Sequence, residues 1–184
     1  EVETEDAIYE IEFGQTQFEI TGRCNMRCWH CRAANQLKED MPVEQIIKVL
    51  NFARQFSPNY KEVILSGGEP LIHREFTEVL TQVRANGGEF ITLTTNGSLL
   101  TSEHISLIRD LAFGRFVLSV SLDSLNPSKH DEFRVYKGAF LEAVAALRLV
   151  AENDLPNVIA SMRSTIQASQ IDEMESMVAF SKNF

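Results

Sequence analysis

Cys24-Asn25-Met26-Arg27-Cys28-Trp29-His30-Cys31 is the stretch that decides the reading of this chain. It gathers all three cysteines of the 184 residues into one C-x3-C-x2-C run. Buried cysteines acting as small hydrophobes rarely cluster at ligand spacing. An odd number of them, with no signal peptide visible, speaks against a disulfide framework. Structural zinc wants a fourth ligand. His30 is the nearest, but it adjoins Cys31, whereas zinc motifs usually place two or more residues between ligands. Three thiolates can hold three irons of a [4Fe–4S] cube and leave the fourth open, and an open position is what separates a catalytic metal site from a closed structural one. The spacing favours the open cluster over zinc without eliminating zinc.

Outward from the run, strand and helix alternate five times. Gln17–Gly22 is the expected first strand, and the cysteines occupy the loop after it. Pro42–Phe56 carries Val43, Ile46, Ile47, Leu50 and Ala53 at helical spacing, with Pro42 suited to a first turn. Glu62–Ser66 predicts a short strand, and Arg74–Ala85 a helix with Phe76, Val79, Leu80 and Val83 on one face. Glu89–Thr95 predicts the third strand, Ser102–Leu111 a helix, and Arg115–Leu122 the fourth strand. Ala139–Glu152 predicts a helix striped by Phe140, Val144, Leu147 and Ala151. Val158–Ile166 predicts the fifth strand, and Ser169 the cap of a last helix through Met174 and Val178. Ala7–Phe13 and Gln17–Ile20 could pair as an extra N-terminal hairpin across Gly14. Strands alternating with helices of this length imply parallel βαβ units, and apolar runs such as EVIL and FITL suit strands covered on both faces. Five units form an open sheet but cannot close an eight-stranded barrel.

Composition agrees with one globular domain: 44% of residues are hydrophobic and 23% charged. A formal net charge of -9, with no basic run, gives no support for nucleic-acid binding. No apolar stretch is long enough to span a bilayer. Unpaired, metal-spaced cysteines suit a reducing cytoplasm.

In an α/β barrel the chemistry collects at the C-terminal ends of strands, and the unusual residues of this chain fall there. Ser66-Gly67-Gly68-Glu69-Pro70 follows the second strand, and Thr94-Thr95-Asn96-Gly97 ends the third. Ser119-Val120-Ser121-Leu122-Asp123 ends the fourth, and Arg163-Ser164 interrupts the apolar fifth. Gly67 and Gly68 admit backbone where a Cβ would obstruct, and Glu69 can accept a hydrogen bond from an ammonium group. Each motif also has a plain structural reading. Gly67-Gly68 can be a simple turn with a surface Glu69, Asp123 a helix cap, and Arg163 an ion-pair partner of Asp123. Trp29 can shield the loop by packing, His73 and His104 are expected at the surface, and His130–Arg134 as a solvated helix start.

Taken in order, the cysteine run and the four strand-end motifs resemble the core of the radical S-adenosylmethionine (SAM) superfamily, from about Phe18 to the C-terminus. The resemblance implies a partial (β/α)6 TIM-like barrel, present in 1–184 as about five βα units, with the sixth unit and any C-terminal domain expected outside this sequence. It implies a [4Fe–4S] cluster on Cys24, Cys28 and Cys31. It implies SAM bound through Gly67, Gly68, Glu69 and Pro70 at its amino group, and near Thr95. Ser121 or Asp123 would contact its ribose or carboxylate, Arg163 its carboxylate, and His30 would lie near its adenine. The implied chemistry is reductive cleavage of SAM to a 5′-deoxyadenosyl radical that abstracts a hydrogen atom. Electrons would come from a flavodoxin- or ferredoxin-type donor. TGRCNMRCWHC, SLDS and His130–Arg134 look most like the maturase-like, peptide-modifying branch, which implies a ribosomal peptide substrate and epimerisation or crosslinking. Two alternatives stand beside this: a non-catalytic iron–sulfur or zinc module, and a radical SAM enzyme acting on a small molecule.

Overall fold

The computed structural model describes residues 2–3, 6–9, 14–32, 38–57 and 59–184. A short antiparallel pair comes first, β1 (Val2–Glu3) with β2 (Ile8–Tyr9). The expected hairpin across Gly14 does not form in that way, because β2 pairs with β1; residues 10–13 of the expected strand lie outside the described residues. The remaining strands are β3 (Gln15–Thr21), β4 (Glu62–Gly67), β5 (Phe90–Thr95), β6 (Arg115–Ser121) and β7 (Val158–Arg163). They form one parallel sheet in chain order, β3-β4-β5-β6-β7. The helices are α1 (Val43–Phe56), α2 (Phe76–Ala85), α3 (Ser102–Leu111), α4 (Pro127–Arg134), α5 (Ala139–Asn153) and α6 (Met174–Ser181). Each crossover advances one strand in the same direction, so the crossover helices share one face of the sheet. This is the expected open, partial barrel of five βα units.

Alternation along the strands sorts the two faces. Phe18, Ile20, Val63, Leu65, Ile91, Leu93, Phe116, Leu118 and Val120 are buried in the core cluster. They meet Val43, Ile46, Leu50 and Ala53 of α1, and Phe76, Val79, Leu80 and Val83 of α2. Fully burying one such aliphatic side chain stabilises the fold by roughly 1.5–3 kcal/mol. The α2 stripe is the expected one. On α5 the buried face is instead Ala139, Ala143, Val144, Ala146, Leu147 and Val150, while Ala151 is exposed. Small residues win there because the helix sits on the β5 turn: a Cβ built on Gly97 would lie 3.0 Å from the Ala146 Cβ.

The end of the chain also departs from expectation. A 3-10 turn over Ala168–Glu173, capped by Gln167, precedes α6, so Ser169 lies inside that turn. Met177 is the residue α6 buries, whereas Met174 and Val178 are exposed.

Toward the C-terminal ends of the strands the opposite face of the sheet is polar, while Ile64, Val117 and Ile159 lie on it further back. Glu19 stands beside Ser66, Thr94 beside Ser119, and Ser119 beside Ser161. No helix among the described residues is long and apolar enough to cross a membrane.

Candidate active site

A bulge between Glu19 and Thr21 turns the end of β3 into the cysteine loop. The turns after β4 and β5, and the end of α4, then grip that loop. At its start, Arg23 donates to Asp40 through Nε (3.0 Å) and Nη2 (2.6 Å), and Nη2 also donates to the Ile72 carbonyl (2.7 Å). Burial pushes the Asp40 carboxyl up, but hydrogen bonds from Thr21, Arg23 and the Arg74 amide outweigh it and bring it down to about 2. The β4 turn holds the same segment by backbone: Gly68 N–H donates to Thr21 O at 2.7 Å, and Glu69 N–H to Arg23 O at 2.8 Å. In the middle of the loop, Asn25 accepts from Asn96 Nδ2 at 2.9 Å and donates to Ser98 Oγ at 2.8 Å. At its end, Trp29 N–H donates to the Phe133 carbonyl at 3.1 Å, and His30 stacks on Phe133 with centroids 4.4 Å apart.

The result is a cavity of about 440 Å³ at the C-terminal ends of the strands. Of the residues singled out from sequence, Cys24, Cys28, Cys31, His30, Gly67, Gly68, Thr95, Ser121 and Arg163 line it. The three cysteines are half-exposed and unbonded to one another. Burial pushes the Cys24 and Cys28 thiols up, and at Cys28 the Arg134 guanidinium pulls the other way. Among the described residues, no three His, Cys, Asp or Glu side chains converge as a ready-made ion site. Ligands of a cube bind three separate irons, so they stand wider apart than ligands of one ion. Three thiols around one cavity, with space for a guest among them, fit the iron–sulfur cube in chemistry and arrangement.

Three of the residues singled out, Glu69, Pro70 and Asp123, are not among those lining the cavity. Glu69 is fully buried beneath the cavity wall, and its carboxylate is already occupied. Oε1 accepts from Thr95 Oγ1 (2.7 Å) and Leu71 N–H (3.2 Å), and Oε2 accepts from Asn96 N–H (2.7 Å). Burial raises the Glu69 pKa against the pull of these donors. All three partners donate, so the geometry serves the ionised form. Pro70 is buried at the first position of a 3-10 turn over Pro70–Ile72. Asp123 is fully buried and receives Arg134 Nε at 2.7 Å. The partner of Asp123 is therefore Arg134, not Arg163, which is exposed at the end of β7. A charge that reaches solvent needs no buried partner.

Other expectations reverse as well. Trp29 is 77% exposed instead of shielding the loop. His73 is buried, with Nε2 3.0 Å from the Met41 carbonyl and Nδ1 accepting Glu75 N–H. His104 is half-buried and caps α3 by accepting Thr101 N–H. The His130–Arg134 stretch is no solvated helix start: His130, Phe133 and Arg134 are the buried face of α4. Sequence reasoning gave Asn25 no role, and Arg134 none beyond its place in the His130–Arg134 stretch. The available signal was a helix whose polar and aromatic positions share one side, an unlikely design for a purely solvated helix.

Glu69→Gln should separate scaffold from contact. The Gln amide would aim a donor at a donor, leaving one buried N–H or O–H unsatisfied, at a cost of about 1–3 kcal/mol. The expected result is a lower melting temperature together with reduced iron uptake; an unchanged melting temperature would show that the three hydrogen bonds do not matter.

A family-wide sequence model described as the radical SAM superfamily matches residues 18–180. The chain is 32% identical over 160 residues to the AdoMet-dependent heme synthase of Methanosarcina barkeri, covering 85% of this chain and 44% of that protein. It is 28% identical over 140 residues to the antilisterial bacteriocin subtilosin biosynthesis protein AlbA of Bacillus subtilis, covering 75% and 30%. The chain thus spans less than half the length of these relatives. Among solved structures, it superposes on Streptococcus suis SuiB bound to precursor peptide SuiA with TM-score 0.69 at 17% identity, covering 95% and 38%. It superposes on native anSMEcpe with bound AdoMet and Cp18Cys peptide with TM-score 0.70 at 19% identity, covering 92% and 47%. The sheet order, the cysteine loop over its strand ends and the match across 18–180 carry one conclusion: the chain belongs to the radical SAM superfamily, whose members use a [4Fe–4S] cluster and S-adenosylmethionine.

Proposed function

We propose that this chain is the catalytic core of a cytoplasmic radical SAM enzyme that modifies a peptide. Cys24, Cys28 and Cys31 would hold the cluster. Gly67, Gly68, Thr95 and Ser121 would line the SAM site, with His30, Arg163 and the backbone of Glu69 and Pro70 at its margins. When bound, cluster and SAM supply a 5′-deoxyadenosyl radical that takes a hydrogen atom from an unactivated C–H bond. The protein fixes the ligands, orients the guest and keeps water from the reacting centre. The reducing electron would come from a flavodoxin- or ferredoxin-type protein.

The observation that carries the peptide reading is the polar floor of the cavity. Gln17, Glu19, Ser66 and Thr94 line it, running inward from β3, an edge strand among the described residues. Thr94 Oγ1 is buried there without a hydrogen-bond partner among the described residues. A buried hydroxyl of this kind wants a partner, and a peptide offers amide donors and acceptors to a mixed row of amide, carboxylate and hydroxyl groups. The names of AlbA and of the SuiB complex support the same class. A second reading, a porphyrin-like small molecule, has the heme synthase relative in its favour.

The test incubates the whole, anaerobically reconstituted protein with SAM and dithionite in D2O, with candidate ribosomal peptides in one series and porphyrins in another. 5′-Deoxyadenosine should rise above the substrate-free level only with a peptide. Deuterium gained at an α-carbon reports epimerisation, and loss of two hydrogens reports a crosslink. Turnover of the porphyrin beside an unmodified peptide would overturn the peptide reading.

A further inference from the structure

Helix α4 closes on the cysteine loop with its last two residues. Phe133 holds Trp29 through its carbonyl and His30 through its ring. Arg134 reaches one residue further back, placing Nη1 3.8 Å from Cys28 Sγ. Its side chain is only 9% exposed, and its carboxylate partner Asp123 is fully buried. Asp123 is itself immobilised, because its other oxygen accepts Thr165 N–H at 2.9 Å from the segment after β7. His130 of the same helix accepts Asp123 N–H on Nδ1 at 3.1 Å. Burial, more than its charged neighbours, brings His130 down to about 4, so its ring is neutral beside the pair. One fixed cation therefore points at one cysteine sulfur, and one fixed anion stands directly behind it.

We infer that Arg134 is a positioning residue for Cys28, and that the Asp123–Arg134 pair sets the reduction potential of the cluster the three cysteines hold. The inference rests on the cluster assignment made above. Hydrogen bonds to ligand sulfurs, local net charge and solvent exposure are the levers by which a protein tunes such a cluster. A buried guanidinium beside the sulfur stabilises the reduced form, which carries one more electron. Asp123 works against it, because its negative charge offsets part of the field that the cluster feels. The two residues therefore act with opposite sign, which a purely structural role does not require.

The experiment is a redox titration of the whole reconstituted protein, followed by the electron paramagnetic resonance of the reduced cluster, without SAM. Leaving SAM out keeps any effect on SAM binding away from the readout. Arg134→Gln should move the oxidised-to-reduced ratio about tenfold toward oxidised at the parent midpoint, which is about 59 mV for a one-electron couple. Arg134→Lys keeps the charge and should stay within about threefold of the parent. Asp123→Asn keeps an oxygen for Thr165 N–H and turns its NH2 toward Arg134 Nε; it removes the anion while Arg134 keeps its charge, and should move the ratio toward reduced. The inference fails if iron-loaded Arg134→Gln titrates like the parent, if Lys and Gln shift alike, or if Asp123→Asn shifts in the same direction as Arg134→Gln. Should Arg134→Gln take up no iron, Asp123→Asn decides alone, and anything but a shift toward reduced overturns it. A parent protein that binds no cluster would defeat the cluster assignment itself, and this inference with it.

Discussion

Cys24→Ala, Cys28→Ala and Cys31→Ala combined should take bound iron from about four per chain to near zero and abolish the brown chromophore. SAM cleavage should fall to background, because without the cluster there is neither an electron source nor an open iron. The chain should nevertheless stay folded. None of the three cysteines belongs to the hydrophobic core, and all three are half-exposed. The loop also keeps its other ties, including Arg23 with Asp40, Asn25 with Asn96 and Ser98, and the Trp29 amide with Phe133. Circular dichroism and melting should therefore change little while the metal is lost. Metal analysis of the parent, giving iron and sulfide and not zinc, completes the test. A triple variant that retained its iron would refute the assignment.

The parts of this molecule that follow a period were legible before the structure. The alternation of strands and helices and the α1 and α2 stripes follow from apolar spacing, because a buried face must repeat with the element. On α5 the expected Val144 and Leu147 are buried, but Ala139, Ala143 and Ala146 were missed, because their burial reflects the approach of the Gly97 turn. The site divides in the same way. The cysteine run declares itself by spacing, and the glycines by the backbone approach they permit. Long polar side chains do not declare their direction. Arg163 ends β7 and Arg134 ends α4, yet the first reaches solvent and the second is buried against Asp123 and Cys28. Choosing between them needs the turn after β6, whose path no local pattern fixes. Glu69 posed the same problem. Its value as an acceptor was legible, but two of its three donors, Thr95 and Asn96, lie on the neighbouring strand end.

Gly68→Ala should damage the centre as badly as loss of a ligand, although it changes no donor atom. A Cβ at Gly68 would stand 2.2 Å from the Arg23 carbonyl oxygen, 2.6 Å from its carbon and 3.1 Å from Cys24 Cβ. The two closest atoms are backbone, so no side chain can swing aside to make room. The segment carrying Cys24 must move away from the end of β4, and that breaks the 2.8 Å bond from Glu69 N–H to Arg23 O. Overpacking costs about 1–3 kcal/mol, and a lost buried hydrogen bond about 1 kcal/mol more. The whole effect falls on the residue beside a cluster ligand. Iron uptake on reconstitution should drop severalfold and the melting temperature should fall. Gly14→Ala is the control, since a Cβ there meets nothing within 4 Å among the described residues and should change stability by no more than about 0.5 kcal/mol. If Gly68→Ala reconstituted and melted like Gly14→Ala, the β4 turn would not be what holds the cysteine loop in place.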